Sequence, residues 1–149
     1  MKKKRIKILP IILAVFVSLG LLVALGNTVT TKSLIKYVKT FDKVQYEDQL
    51  IPSYNPDLEC YQFKTERDFK VLQLTDVHIG GGFMSNEKDK KAINAVASMV
   101  SEEKPDLVIV TGDIVFPVPY MAGTFNNKNP HRVFNALMEQ LGVYYTVVF

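Results

Sequence analysis

Residues 69–82 read FKVLQLTDVHIGGG, and residues 106–113 read DLVIVTGD. Each is a short apolar run of strand length that ends in an acidic residue. In the first, Phe69 to Leu74 is a strand candidate that runs into Thr75-Asp76-Val77-His78 and then Gly80-Gly81-Gly82. In the second, Asp106 to Thr111 carries the largely apolar pattern of a parallel strand covered on both faces, and it stops at Gly112-Asp113. Between them, from about Asn86 to Glu103, the apolar positions Ile93, Val96, Ala97 and Val100 recur at helical spacing. Ser85 or Asn86 is placed to cap that helix and Pro105 to stop it. Strand, helix and strand in this order predict a right-handed crossover that brings both strand ends to one edge of a parallel sheet.

The pattern continues downstream. Ile114 to Asn129 reads as a loop rich in Pro, Asn and Gly. Asn129-Pro130 then opens a second helix with Val133, Phe134, Leu137 and Leu141 inward and Gly142 as its stop. Val143 to Phe149 (VYYTVVF) reads as a third buried strand. An α/β fold is expected, and the sequence reads as the amino-terminal portion of a longer domain because it stops directly on that strand.

Upstream, the chain carries no charge from Ile8 to Thr31, and Ile8 to Leu25 is almost wholly apolar after the cationic MKKKRIK. Eighteen residues of helix span roughly 27 Å, close to a bilayer core of about 30 Å. Residues 1–31 are therefore expected to form a membrane helix. Cations ahead of it put the amino terminus in the cytoplasm and the domain outside, as a single-pass cell-membrane protein. The competing expectation is a signal peptide cleaved near Gly26 after the small-x-small triplet Ala24-Leu25-Gly26, which would release a secreted domain. Residues 32–68 read as a juxtamembrane linker punctuated by Pro52, Asn55 and Pro56. Within it Leu34, Ile35, Val38 and Phe41 form either one face of a short helix or a connection packed on the domain.

Composition narrows the function classes. Five of the 18 Lys and Arg residues lie in the first seven positions, which leaves 13 cations against 15 acids in the remainder. The overall charge of +3 is a terminal effect, so a nucleic-acid-binding face on the domain is not expected. The lone Cys60 forms no intrachain disulfide and excludes zinc sites built on two or more cysteines.

Ligands of open α/β sheets gather at the carboxyl ends of the parallel strands. Asp76, His78 and Asp113 all fall there. A carboxylate and an imidazole two residues apart can reach one ion, and a carboxylate from the adjacent strand end can bridge to a neighbouring one. Oxygen and imidazole donors together suit Mn, Fe, Zn or Ni better than Ca or Mg. From the residues alone the other reading stays open, with the two acids capping loops or helices and His78 on the surface.

The blocks LQLTDVHIG and LVIVTGD, separated by a helix of suitable length, resemble the opening motifs of the calcineurin-like metallophosphoesterase superfamily over residues 69–149. The resemblance implies a layered α/β sandwich whose amino-terminal part lies in 69–149, preceded by one hydrophobic membrane helix. It implies that Asp76 and His78 hold a first metal ion and that Asp113 bridges two. The superfamily's later Gly-Asn-His and histidine blocks do not occur here. The expected function is therefore a membrane-directed metal-dependent phosphoesterase with a two-ion centre, present as a fragment inactive alone, acting on a phosphorylated substrate of undetermined class. The alternative is a membrane-anchored α/β protein that binds or assembles partners without catalysis. No general acid is identifiable. His131 is read as solvated or capping, the Gly80–Gly82 run as a flexible loop lacking the Lys-Ser/Thr of a phosphate-binding loop, and Tyr144 and Tyr145 as packing residues.

Overall fold

The structure, a computed structural model, describes residues 8–148. The cationic cluster Lys2–Lys7 and Phe149 lie outside the described residues. Helix α1 (Ile8–Val38) is followed by a hairpin of β1 (Ser53–Asn55) and β2 (Cys60–Gln62). Strand β3 (Val71–Leu74), α2 (Asn86–Glu103), β4 (Leu107–Val110), α3 (Lys128–Leu141) and β5 (Tyr145–Val147) complete the order. The strands β3, β4 and β5 form a parallel sheet in that spatial order, in register from Val71 opposite Leu107 to Leu74 opposite Val110. This is the α/β arrangement expected from the alternating periods.

One continuous core joins the sheet to all three long helices. Ile93, Val96 and Val100 of α2 and Val133, Phe134, Leu137 and Leu141 of α3 are buried with Leu74, Val108 and Val110 of the sheet. Gly142 closes α3 at φ 71°, its amide donating back to Met138 and Glu139 as the Gly stop requires. Lys104 ends α2 in the same left-handed conformation, one residue before Pro105.

Several expectations need correction. DLVIVT is not covered on both faces, because Val108 and Val110 lie under the helices while Leu107 and Ile109 turn to the opposite face and stay half-buried. Only part of that second face is sheltered, by an aromatic group in which Phe63 meets Phe69 at 5.0 Å and Tyr144 at 5.8 Å. Strand β5 is at the sheet edge and half-buried, not buried. Ser85 precedes α2 without capping an amide of its first turn. The loop after β4 holds a 3-10 turn at Pro119–Ala122.

The largest correction concerns α1. The helix does not end with the uncharged run but continues to Val38, and its last third belongs to the domain. Leu34 and Val38 are completely buried, with Asn27, Thr30 and Thr31 also buried. The chain beyond it stays on α3, where the Val44 amide donates to the Leu141 carbonyl at 3.0 Å and Gln140 Nε2 donates to the Phe41 carbonyl at 2.7 Å. The segment 32–68 is thus a structured part of the domain. Its hairpin turns on Asn55, whose Oδ1 accepts the amides of Asp57 and Leu58.

At the amino-terminal ends of β3 and β4, Asp106 sets the register. Its carboxylate accepts both guanidinium nitrogens of Arg67 at 2.9 and 2.7 Å and the Lys70 amide at 2.9 Å. Arg67 also donates to the Asp48 carbonyl, so one buried acid ties the upstream segment to both strands. The Arg67 guanidinium holds the Asp106 carboxyl below the usual carboxylate range. An acid with a lowered folded pKa stabilises the fold above its unfolded pKa of about 4 and loses that contribution as pH falls through the lowered value. Replacing Asp106 by Asn should lower stability by about 2 kcal/mol near neutrality and flatten the loss of melting temperature on acidification. Thermal unfolding of both forms from pH 2 to 7 checks this, and parallel curves would contradict it.

Candidate metal centre

The backbone pairing of β3 with β4 does not stop where the strands do. The Thr111 amide donates to the Leu74 carbonyl at 2.9 Å, the His78 amide to the Asp113 carbonyl at 2.9 Å, and the Ile79 amide to the Ile114 carbonyl at 2.8 Å. Ile79 then makes a parallel bridge with Val115. The two acid-bearing loops therefore run side by side, and Asp76, His78 and Asp113 meet at the carboxyl edge of the sheet.

One donor atom from each of the three lies within 4.8 Å of the other two. His78 Nε2 sits 3.5 Å from Asp113 Oδ2 and 3.8 Å from Asp76 Oδ1. Thr75 Oγ1 donates to the other Asp76 oxygen at 2.8 Å, and the Phe116 ring meets the imidazole edge-on at 6.0 Å. Neither carboxylate has a Lys or Arg partner among the described residues. The cluster is anionic, open to solvent at both acids, and built of the oxygen and imidazole donors that a transition-metal ion takes.

Backbone strain marks the same three residues. Asp76, His78 and Asp113 all have positive φ, at 55°, 53° and 45°. A left-handed conformation costs a residue with a Cβ roughly 1–2 kcal/mol, although Asp and His bear it better than most. Three such residues in one small cluster exceed what capping a loop requires, and strain of this kind collects at functional sites. Gly112, at φ 142°, supplies the turn that delivers Asp113, a conformation closed to other residues.

The glycine run is not a flexible loop. Gly80, Gly81 and Gly82 are buried. The Gly80 and Gly81 amides donate to Asp89 Oδ1 and Oδ2 at 2.8 and 2.9 Å, and Ser85 Oγ donates to Oδ2 at 2.8 Å. A Cβ on Gly82 would run into the Ala122 carbonyl, so glycine there lets the loop lie against the 3-10 turn. Asp89 is 1% exposed. Burial pushes its carboxyl up from the ordinary range, against the three hydrogen bonds that favour the charged form. Sequence reasoning missed Asp89, yet its signal was present, since positions 89, 93, 96 and 100 continue one inward stripe of α2. His131 is exposed in the first turn of α3 and lines, with Gly112, Asp113 and Val148, a cleft of about 300 Å³ beside the centre.

Comparison with known proteins decides the family. The profile of the calcineurin-like phosphoesterase family matches residues 69–149, more than half of the chain. The chain belongs to the calcineurin-like phosphoesterase family. Protein SIA1 of Kluyveromyces lactis is 32% identical over 57 residues, which cover 32% of this chain and 10% of that protein. The chain thus matches about a tenth of the length of this curated relative. No solved structure matches the chain. At its sheet edge this member of the family carries a three-residue cluster that could hold one metal ion.

Proposed function

We propose that Asp76, His78 and Asp113 are metal ligands of a membrane-directed phosphoesterase that acts outside the cytoplasm. The observation that carries the reading is the convergence of three strained donors on one point at the edge of a family-matched sheet. A bound divalent ion would supply Lewis acidity toward a phosphoryl oxygen and acidify a water ligand. Manganese, iron, zinc and nickel all suit the donor set.

The chain's own part is to position. Asp76 and His78, on the loop that leaves β3, and Asp113, on the loop that leaves β4, would together hold the ion. Thr75 fixes one oxygen of Asp76, and the hydrogen bond from the His78 amide to the Asp113 carbonyl keeps the two loops from separating. The cleft beside Asp113 gives a phosphoryl group a place to sit. Three side chains account for one ion, so a two-ion centre calls for donors beyond these three.

Membrane direction rests on α1, a helix of 31 residues long and apolar enough to cross a bilayer or to serve as a signal sequence. The anchor is favoured because cleavage near Gly26 would cut the helix in its middle, just ahead of residues buried in the domain.

Titrating the full chain with Mn²⁺ should give one tight site per chain, and inorganic phosphate should bind only after the metal. Asp113→Asn, which keeps the side-chain shape and tolerates positive φ, should weaken metal affinity by about 100-fold or more while melting of the metal-free chain stays within about 0.5 kcal/mol. Equal metal affinity in the variant, or phosphate binding indifferent to metal, would contradict the reading. A reporter active only outside the cytoplasm, fused after Thr65, should be active; activity of a cytoplasm-only reporter at that point would overturn the topology.

A further inference from the structure

Residues 8–22 of α1 are exposed along their whole length, and just above them two loops of the domain come down along the helix. A Cβ placed on Gly26 would sit 3.9 Å from the Phe83 ring, and Phe83 and Met84 close on Gly123 of the loop that carries Phe125. Phe125 shares a groove with Gly20 and Val23, which lie within the apolar run. The groove that Phe125 lines thus begins within the apolar run, at Gly20, and continues along α1 past Lys32. These loops nevertheless present their large apolar side chains outward, with Phe83 at 50%, Met84 at 64%, Tyr120 at 63% and Phe125 at 84% exposure. In water that arrangement would be a liability, whereas at a bilayer interface it is an anchor.

Along α1 the lining of the groove passes from apolar to charged residues. The groove has a volume of about 550 Å³ between α1 and the start of α3, and is lined along the helix from Gly20 and Val23 to Lys32, with Phe125 and Arg132 also contributing. Lys32 is the first charged residue after the apolar run, about 10 Å along the helix beyond Leu25, which is the depth of the headgroups. Among the described residues neither Lys32 nor Arg132 has an acidic partner. Asn27, 6% exposed and lining the groove, keeps a buried Oδ1 with no hydrogen-bond partner. Two unpaired cations and one unfilled acceptor above an apolar wall match an anionic phospholipid whose headgroup carries a hydroxyl.

We propose that this groove binds such a phospholipid, its phosphate held by Lys32 and Arg132 and its acyl chain laid along Val23 and Phe125, so that the domain is seated on the bilayer. The inference rests on the membrane reading of α1 and adds to it a specific lipid site and a fixed orientation. The loop that follows the 3-10 turn is then at the membrane surface, while the metal cluster stays at the sheet edge beside the turn's other flank.

The chain has no tryptophan, so Phe125→Trp creates a sole reporter at an exposed position. The full chain carrying it would be placed in phosphatidylcholine vesicles containing phosphatidylglycerol, with bromine on the acyl chains of one lipid or the other. The expected result is blue-shifted emission, quenched more by brominated phosphatidylglycerol than by the same fraction of brominated phosphatidylcholine, with a preference of roughly fivefold per cation. Adding Lys32→Gln and Arg132→Gln should erase the preference and leave quenching in place. Water-like emission, or equal quenching by both lipids, would overturn the inference. A separate Phe16→Trp chain distinguishes the causes. Quenching there alongside failure at position 125 leaves the membrane helix standing without the lipid site, and no quenching at either position removes both.

Discussion

The parallel pairing of β3 with β4 governs the rest of the molecule, and it is secured at both ends by polar contacts. At the amino-terminal end Asp106 takes the Lys70 amide and both Arg67 nitrogens, which aligns Val71 with Leu107. At the carboxyl end the ladder is prolonged by His78 and Ile79 onto Asp113 and Ile114. A slip of one residue would turn Val108 and Val110 away from the helices and part His78 from Asp113 at the same time. Core and side-chain cluster are therefore fixed by one register, which is why the strained residues of the cluster can be tolerated. Their cost is met by the backbone bonds around them and by the glycine loop locked on Asp89.

Local periodicity made the sheet and its helices legible. The α2 bounds, the inward residues of α3 and the strands at LQL and LVIV follow from apolar spacing with Gly and Pro punctuation, and the structure has them where the spacing puts them. Asp76, His78 and Asp113 could be named because each directly follows a strand pattern. What escaped the sequence depends on partners distant along the chain. Leu34 and Val38 were legible as an apolar face of a helix or of a packed connection, but the choice of α2 and α3 as what they pack on was not. The β1–β2 hairpin is three residues a side with exposed tyrosines, too short for alternation to register. Asp89 belongs to the hydrophobic stripe of α2 yet is an acid, so its role emerges only when the glycine amides are seen to need an acceptor.

Continuity of α1 gives the molecule a mechanical character that a tethered domain would lack. Because one helix is apolar at its start and core at its end, the apolar run and the domain are joined with no break in the helix between them. The loops that flank α1 and the metal cluster arise from the same connections after β3 and β4: residues 80–85 pack on the helix side and residues 76–78 form the cluster. The end of the apolar run and the three-residue cluster thus share a scaffold.

The chain contains two histidines, His78 and His131, so nitrogen NMR of histidine-labelled protein reads the central claim residue by residue. On addition of one equivalent of Zn²⁺ the account predicts that Nε2 of His78 moves to the position of a metal-bound nitrogen and its tautomer becomes fixed, while the nitrogen signals of His131 stay where they were. A zinc-insensitive His78, or a metal-bound signal from His131 alone, would contradict it.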